Sequence, residues 1–316
     1  MISRISAFPA GDASSDTRAG LCGEKASMRT AVVTDTNSSM SVQEGKDRGI
    51  FVIPMPVIID GEVFHEGENV SFDEVFRAMA DDKDVSTSQP SPGDVTDLWD
   101  SVLADGYDEL VYIPMTSGLS GSCYSAQMLA EDYGGKVRVV DNHRISLTLY
   151  ESVLDAKQMA DDGKSAGEIK AELEDKAYDA TIYITVDSLK YLMKSGRITR
   201  TAAALASLLR IRPVLTIQGE KLDAFAKVRG VMAAQKRMLE GTYQDIQKYR
   251  DLPKENVLVG AAGTLLNKED IERWGEKIKA AFPGHPFLYH PLSCSIACHT
   301  GPNAFATGFV CMNRRV

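Results

Sequence analysis

Short apolar strands alternate with amphipathic helices through the first half of the chain, and this alternation constrains the fold more than any other feature. Residues 31–34 and 110–115 are apolar runs typical of buried strands, whereas residues 71–81 and 145–159 carry apolar side chains at helical spacing. Such an alternation predicts an α/β domain with a largely parallel, Rossmann-like sheet. Ligands of such sheets collect beyond the carboxyl ends of the strands.

The pattern changes in the second half of the chain. Residues 213–217 and 221–228 are two strand-like runs on either side of a polar turn, and long helical stretches follow them. We therefore expect two domains, an α/β domain over residues 29–180 and an α+β domain over residues 181–316. Residues 1–28 are rich in Ser, Gly, Ala and Asp without the apolar segment of a signal peptide. We expect either a disordered extension there or a misassigned start codon, since the run from Met28 looks like a natural protein start.

Composition narrows the class of protein. Of the 316 residues, 44% are hydrophobic and 25% are charged, as in an average soluble globular protein, and the net charge of −9 argues against binding to nucleic acid. The strongly apolar stretch at residues 51–59 is too short for a membrane span, which needs roughly 20 residues. The five cysteines are an odd number and lie mostly in apolar patterns, which favours reduced thiols and a cytoplasmic protein.

A glycine- and hydroxyl-rich loop at residues 116–122 joins a predicted strand to a predicted helix. The amide groups at the start of a helix are free to bond an anion, and the helix dipole favours negative charge there. Ser117, Ser120 and Gly121 are therefore candidates for holding a carboxylate or a phosphate. A helix cap without a ligand explains the same residues equally well.

Three further segments carry candidate polar groups. Residues 87–90 read Thr-Ser-Gln-Pro, a composition that usually forms a turn. His299 lies in a predicted loop ahead of the last strand, where a histidine that gains charge near neutral pH is a credible carboxylate partner. Arg197 follows a predicted helix end, a position typical of a solvated surface residue.

Other chemistries have weaker support in the sequence. Ser120 stands in a run that resembles the nucleophile elbow of serine hydrolases, but Ser122 replaces the final glycine, and nothing places the candidate partners Asp141 and His299 against it. The Cys-x-x-x-Cys-His run at residues 294–299 lacks the spacing and the second ligand pair of a zinc site, so we expect no metal. The nucleotide-binding glycine signatures do not occur.

Taken together, these segments resemble the DegV family from about residue 30 to the C-terminus. The residues that carry the resemblance are 33–36, 87–90, 117–121, 194–197, 227–229 and 299–302. The resemblance implies a two-domain, DegV-like fold with a long-chain fatty acid buried between the domains.

The resemblance also implies roles for particular residues. Thr87 and Ser120 match the family's threonine and serine that hydrogen-bond the fatty-acid carboxylate, and His299 matches a histidine near the head group. Several members are the carrier subunit of a bacterial fatty-acid kinase and present the carboxylate to a separate ATP-binding subunit, which forms the acyl phosphate. Arg197 matches an arginine that is a candidate for docking that subunit.

A carrier of this kind needs no cofactor and no catalytic residue of its own, and it needs no stable insertion into a membrane. The alternative is a lipase- or esterase-like serine hydrolase that uses Ser120 and His299. The sequence departs from the family near the C-terminus, where Phe305 is expected to narrow or reroute the pocket for the acyl chain.

Overall fold

The computed structural model describes residues 28–207, 211–264 and 267–312, so the predicted extension lies almost wholly outside the described residues. The strands of this part of the chain are β1 (Thr30–Asp35), β2 (Phe51–Ile53), β3 (Pro56–Ile59), β4 (Glu62–His65), β5 (Val85–Thr87), β6 (Glu109–Ile113), β7 (Val137–Val139), β8 (Ala180–Thr185), β9 (Arg212–Ile217), β10 (Asp223–Val228), β11 (Val257–Gly263), β12 (Phe287–Pro291) and β13 (Phe305–Cys311). The helices are α1 (Val42–Arg48), α2 (Phe72–Ala80), α3 (Pro92–Ala104), α4 (Ser122–Ala130), α5 (Ser146–Asp161), α6 (Ala166–Asp175), α7 (Lys190–Ser195), α8 (Arg200–Ala203), α9 (Val231–Ile246), α10 (Lys268–Ala281) and α11 (Cys294–Thr300).

The predicted parallel sheet is present and has the strand order β2-β1-β6-β7. Alternate side chains of its strands point to opposite faces, and both faces are covered. Val33 and Tyr112 pack with Trp99 of α3 on one face, whereas Val32 and Val111 belong to the core that contains α5 on the other. This confirms the α/β class.

A small antiparallel sheet, β4-β3-β5, lies beside the parallel one. Its hairpin turns at Asp60 and Gly61, which both have positive φ, as an Asp-Gly turn between two strands predicts. Helix α11, from the other end of the chain, packs on this sheet, with Cys294 and Cys298 buried in one cluster with Val57. Distant parts of the sequence therefore meet at β5.

The second half of the chain forms a six-stranded sheet of order β10-β9-β8-β13-β11-β12. One face buries Phe309 against Trp274 of α10, and the other faces α5. Gly260 of β11 leaves room for α5, because a Cβ there would lie 3.1 Å from Leu147. Helix α5 thus packs between the two large sheets. Along the chain, β8 is the first strand of the six-stranded sheet, and the sequence predicts a domain boundary at its start. That boundary stays a prediction.

Helix caps explain several boundaries. Ser91, Pro92 and Asp94 form the predicted capping box at the start of α3. Two helices that the apolar periodicity does not indicate, α1 and α6, also begin at serine caps, Ser41 and Ser165. Caps therefore mark helices whose apolar faces are short or irregular.

Two negative findings hold for the described residues. None of their helices is both long enough and apolar enough to cross a membrane. No group of their His, Cys, Asp and Glu side chains is arranged to hold a metal ion.

Candidate functional site

A cavity of about 810 Å³, counted with its mouth, lies between the carboxyl edge of the parallel sheet and the six-stranded sheet. Most of the wall is apolar, and β8, α7, β9 and β11 contribute Ile182, Ile184, Leu192, Ile217 and Ala262 to it. We call it the central cavity.

Polar side chains gather on one part of this wall. Thr87, Gln89, Ser120, Arg197 and His299 all line the cavity, although they come from widely separated parts of the chain. The structure therefore brings together three residues that the sequence singled out as head-group candidates. It adds Arg197, for which the sequence suggested a surface role.

Ser120 lies at the end of the loop between β6 and α4. Its hydroxyl accepts a hydrogen bond from the amide of Ser122, 3.2 Å away, at the start of α4. The N-cap residue of this helix, Gly121, has no side chain that could cap it. Ser120 is half-buried and occupies the helix terminus that favours an anion, in agreement with the sequence pattern.

Thr87 is the last residue of β5 rather than part of a turn. It pairs with Val57 of β3 in the antiparallel sheet, so its position is fixed by the ladder. The Thr-Ser-Gln-Pro composition predicts a turn, but Thr87 belongs to a strand and residues 88–90 are irregular rather than a turn. The strand is three residues long, which is too short to show a period-2 pattern.

His299 lies in the last turn of α11, so the predicted loop at this position is wrong. Ser293 caps the helix by accepting a hydrogen bond from the amide of Ile296, and Gly301, with a φ of 75°, ends it. A serine N-cap and a glycine at the C-terminal end are ordinary helix signals, and a helix of seven residues is long enough to show both. The helical backbone aims His299 into the cavity.

The imidazole of His299 is bonded to the hydroxyl of Thr87, with 2.9 Å between Nε2 and Oγ1. Burial, and after it the charge of Arg197, lowers the pKa of His299 to about 4. The ligand-free imidazole is therefore neutral at neutral pH, contrary to the charged partner that the sequence suggested. The permanent positive charge at this wall belongs to Arg197.

Arg197 is half-buried and lies just past the end of α7. Its Nε donates to the carbonyl of Leu119, 3.3 Å away, and its Nη1 donates to the carbonyl of Ser195. These two bonds fix the guanidinium beside the Ser120 loop. They leave Nη2 available for an anionic group in the cavity, since guanidinium groups carry five N–H donors.

Ser117 and Gly121 do not line the cavity, although both were candidates for the head-group site. The Ser117 side chain is exposed, and its amide donates to Asp141 at 3.3 Å. Gly121 is also exposed, and a Cβ at this position would make an ordinary contact, 3.4 Å from Gln89. Their role in ligand binding stays a prediction that the geometry of the cavity does not favour.

Gly118 is the glycine of this loop that the packing requires. A Cβ there would lie 2.2 Å from the carbonyl oxygen of Gly219 in the turn between β9 and β10. The hydroxyl of Thr116 donates to the same carbonyl. Packing against the turn between β9 and β10 therefore explains the glycine at position 118.

The geometry offers little to a serine nucleophile. His299 is bonded to Thr87, and the described residues show no hydrogen bond between His299 and Ser120. Asp141 lies instead beside the amide of Ser117 and 4.0 Å from His143. The three residues nominated for a triad thus have other partners.

Sequence reasoning missed three buried polar residues of the cavity wall, namely Asn37, Ser146 and Ser295. Asn37 belongs to a polar loop that follows β1. Ligands of a parallel sheet collect beyond the carboxyl ends of its strands, so the position of this loop was a signal in the sequence. Ser146 and Ser295 lie at the starts of α5 and α11, and tertiary packing alone places both on the cavity wall and bonds Ser295 to Asn37.

A second concavity of about 910 Å³ opens on the other side of the head-group residues. Thr87, Arg197 and His299 line both spaces, and Lys83, Lys190 and Lys194 are added on the outer side; we call this space the lysine groove. Two exposed ion pairs cross it, from Lys190 to Asp82 at 3.5 Å and from Lys194 to Asp84 at 2.7 Å.

Phe305 does not line the central cavity, so the expectation that it narrows the acyl pocket is wrong. Its side chain packs with Trp274 in the core on the far face of the six-stranded sheet. The neighbouring Ala306 faces the cavity instead. Side chains alternate between the faces of a strand, and the sequence does not show which face of β13 meets the ligand.

The fold is that of an α/β protein with a cavity between a parallel sheet and a mixed sheet. The family model described as uncharacterised protein, DegV family, matches residues 29–311, and the chain belongs to the DegV family. The predicted resemblance is confirmed.

Relatives and solved structures agree with this assignment. A DegV domain-containing protein of Deinococcus radiodurans is 32% identical over 223 residues, which cover 70% of this chain and 78% of that protein. A structure described as fatty acid binding of a DegV family protein from Thermus thermophilus has a TM-score of 0.81 and 26% identity, covering 90% of this chain and all of that one. A stearic acid-binding protein from Eubacterium ventriosum has a TM-score of 0.80 at 23% identity, covering 89% and 98%, which shows the fold alone.

Proposed function

We propose that this protein binds a long-chain fatty acid in the central cavity, with its carboxylate at Thr87, Ser120, Arg197 and His299. The observation that carries the proposal is a largely apolar cavity in which Thr87, Ser120, Arg197 and His299 come together on the wall. Burial of some fifteen methylenes contributes on the order of 12 kcal/mol before ordering costs. The Thermus thermophilus relative, whose structure is described as fatty acid binding, has the same fold.

The carboxylate is the part of the ligand that most needs partners, because an unpaired buried charge offsets much of the gain from burying the chain. Two hydroxyls, an imidazole and a guanidinium are a sufficient set of donors. Arg197 supplies the opposite charge and His299 supplies either a neutral N–H or, once a carboxylate lies beside it, a charged one. No step in this arrangement requires a metal or an activated nucleophile.

We further propose that the protein acts as a carrier, which presents the carboxylate to a separate ATP-binding kinase subunit for acyl-phosphate formation. The lysine groove supports this role. It reaches Thr87, Arg197 and His299 from outside, and its three lysines are each paired with an exposed aspartate that a more strongly charged partner group would have to replace. Lysines and arginine are suited to phosphate and to acidic partner surfaces.

The experiment has two readouts. Mass spectrometry of an organic extract of the purified protein is expected to show a saturated or monounsaturated fatty acid near one per chain. Addition of an ATP-binding kinase subunit from the same genome, with ATP, is then expected to give an acyl phosphate that hydroxylamine traps. Absence of any lipid, even after incubation with fatty acids, contradicts the binding proposal. Lipid without acyl phosphate contradicts the carrier role alone.

The serine hydrolase stays the alternative from a different class of function. A fluorophosphonate probe that labels Ser120 in the lipid-free protein would favour it. The bond between His299 and Thr87 favours the carrier, because it leaves Ser120 without a base in the ligand-free protein.

A further inference from the structure

Helix α11 belongs to the second half of the chain, but its first turn is bonded to the first half. The carboxylate of Glu66, in the turn after β4, accepts a hydrogen bond from the amide of Cys294 through Oε1, although 228 positions separate the two residues. Its Oε2 accepts from the hydroxyl of Thr36, 2.8 Å away, in the loop that follows β1. One carboxylate therefore joins the small antiparallel sheet, the carboxyl edge of the parallel sheet and the start of α11.

The position of Glu66 is itself fixed by the first half of the chain. Its amide donates to the carbonyl of Met55, 3.1 Å away, and the amide of Met55 donates to the hydroxyl of Thr36, also at 3.1 Å. Burial raises the pKa of Glu66, and the bonds from Cys294 and Thr36 oppose this effect. Both carboxylate oxygens have protein donors, so a weaker acceptor at this position leaves those donors poorly paired.

Helix α11 carries a residue of the head-group wall. His299 and three other residues of the helix line the central cavity, whereas Cys298 packs with the core of the small antiparallel sheet. In the last turn of the helix, His299 is bonded to the hydroxyl of Thr87. The helix is therefore attached to the first half of the chain both at its start, by Glu66, and at its end, by Thr87.

The effect of Glu66 on a ligand has to be indirect, because Glu66 lines neither the central cavity nor the lysine groove. Asn37 also holds the start of α11, since its Oδ1 accepts from the hydroxyls of Ser293 and Ser295. However, Asn37 lines the cavity, so a change there alters the wall directly. Glu66 is the anchor whose contribution passes through the position of the helix alone.

We infer that Glu66 is a positioning residue for the head group: its carboxylate fixes the start of α11 and thereby holds His299 against Thr87 at the cavity wall. This inference rests on the proposed fatty-acid site. The helix has seven residues, too few to be stable through its own hydrogen bonds. A neutral side chain at position 66 is a weaker acceptor than a carboxylate. Without the charge, the first turn loses its fixed position and His299 loses its alignment.

The test is a double-mutant cycle on the affinity of the delipidated full-length protein for stearic acid. Glu66→Gln is expected to raise Kd about tenfold, because it weakens hydrogen bonds to a charged acceptor. In a His299→Ala background the same change should raise Kd by less than about twofold, since the residue through which Glu66 acts is gone. Equal losses in the two backgrounds would contradict the inference, because a general loss of stability gives additive effects.

The ¹⁵N chemical shifts of the His299 imidazole in the ligand-free protein are a second readout. They should change in Glu66→Gln, where the bond to Thr87 is loosened, and stay as in the wild type in Glu68→Gln. Glu68 is an exposed glutamate of the same turn, so Glu68→Gln is also the matched control for Kd. Unchanged shifts or an unchanged Kd in Glu66→Gln would overturn the inference.

A second variant keeps the test independent of the folding of Glu66→Gln. Thr36→Val removes the other donor to the Glu66 carboxylate, and Thr36 does not line the cavity. It should raise Kd in the same direction and with the same dependence on His299, and thermal unfolding shows whether each variant is folded. Additive losses for Thr36→Val and His299→Ala would contradict the inference. If the wild-type protein binds no stearic acid, the proposed fatty-acid site itself is wrong.

Discussion

The hydroxyl of Thr87 and Nε2 of His299 lie 2.9 Å apart although 212 residues separate them in the chain. One residue ends an edge strand of the small antiparallel sheet, and the other lies in the last turn of a helix near the C-terminus. Their contact joins the two halves of the chain at the wall shared by the central cavity and the lysine groove. A ligand held there contacts both halves at once.

Removal of either head-group hydroxyl is expected to weaken fatty-acid binding. A hydrogen bond to a charged group contributes about 1.5–3 kcal/mol, so Thr87→Val and Ser120→Ala should each raise Kd roughly 10- to 100-fold. Isothermal titration with the delipidated protein measures this, and Ser117→Ala, an exposed hydroxyl of the same loop, is the matched control. Unchanged affinity in both variants would remove these residues from the site.

Arg197 is expected to contribute to the affinity for the fatty acid itself, and not only to the docking of a partner. Its guanidinium lies on the cavity wall, so Arg197→Gln should weaken carboxylate binding by about tenfold or more. It should leave the affinity for the corresponding fatty alcohol nearly unchanged. Arg200→Gln, at an exposed arginine of α8, is the control. An equal loss for acid and alcohol would indicate a structural effect.

The lysine groove is expected to serve the partner and not the acyl chain. Lys190→Glu and Lys194→Glu reverse charge at its rim, so they should lower acyl-phosphate formation by the kinase subunit, with the largest effect at low salt. Fatty-acid affinity should stay within about twofold. Lys268→Glu in α10, outside the groove, is the control. Full kinase activity in the groove variants would place the docking surface elsewhere.

The pKa of His299 predicts how stability depends on pH. Because the folded pKa is about 4 and the ordinary value is 6.5, the unfolded chain binds more protons in that interval, and stability is lost as pH falls through it. The ligand-free protein should therefore lose on the order of 3 kcal/mol relative to His299→Gln between pH 6.5 and 4. Urea unfolding of both proteins across this range measures the difference. Parallel pH profiles would contradict the assignment.

Chain-length preference is expected to depend on Ala306 and not on Phe305. Ala306→Leu adds volume on the cavity side of β13 and should shift binding toward shorter acids. Phe305→Leu removes packing against Trp274 and should lower the free energy of unfolding by about 1–2 kcal/mol while the chain profile stays the same. Competition among fatty acids of graded length, together with thermal unfolding, distinguishes the two outcomes.

Much of the fold was predictable because its signals are local. The alternation of strands and helices, the Asp60-Gly61 hairpin and the cap at Ser91 depend on neighbouring residues and are present as expected. Predictions failed where a segment was short. β5 and α11 have three and seven residues, so periodicity could not identify them, and their assignment depends on caps and on pairing with distant strands.

The sequence by itself determined the α/β class, the resemblance to the DegV family and three of the residues that meet at the cavity wall. Tertiary structure alone decided that His299 pairs with Thr87, that Arg197 faces the cavity, and that Phe305 does not. The physical reason is that composition and periodicity report on a few neighbouring residues. The burial of a side chain, its pKa and the face of the strand on which it lies depend on which other segments pack against that side chain. A side chain's partners at the cavity come from segments that the sequence keeps far apart.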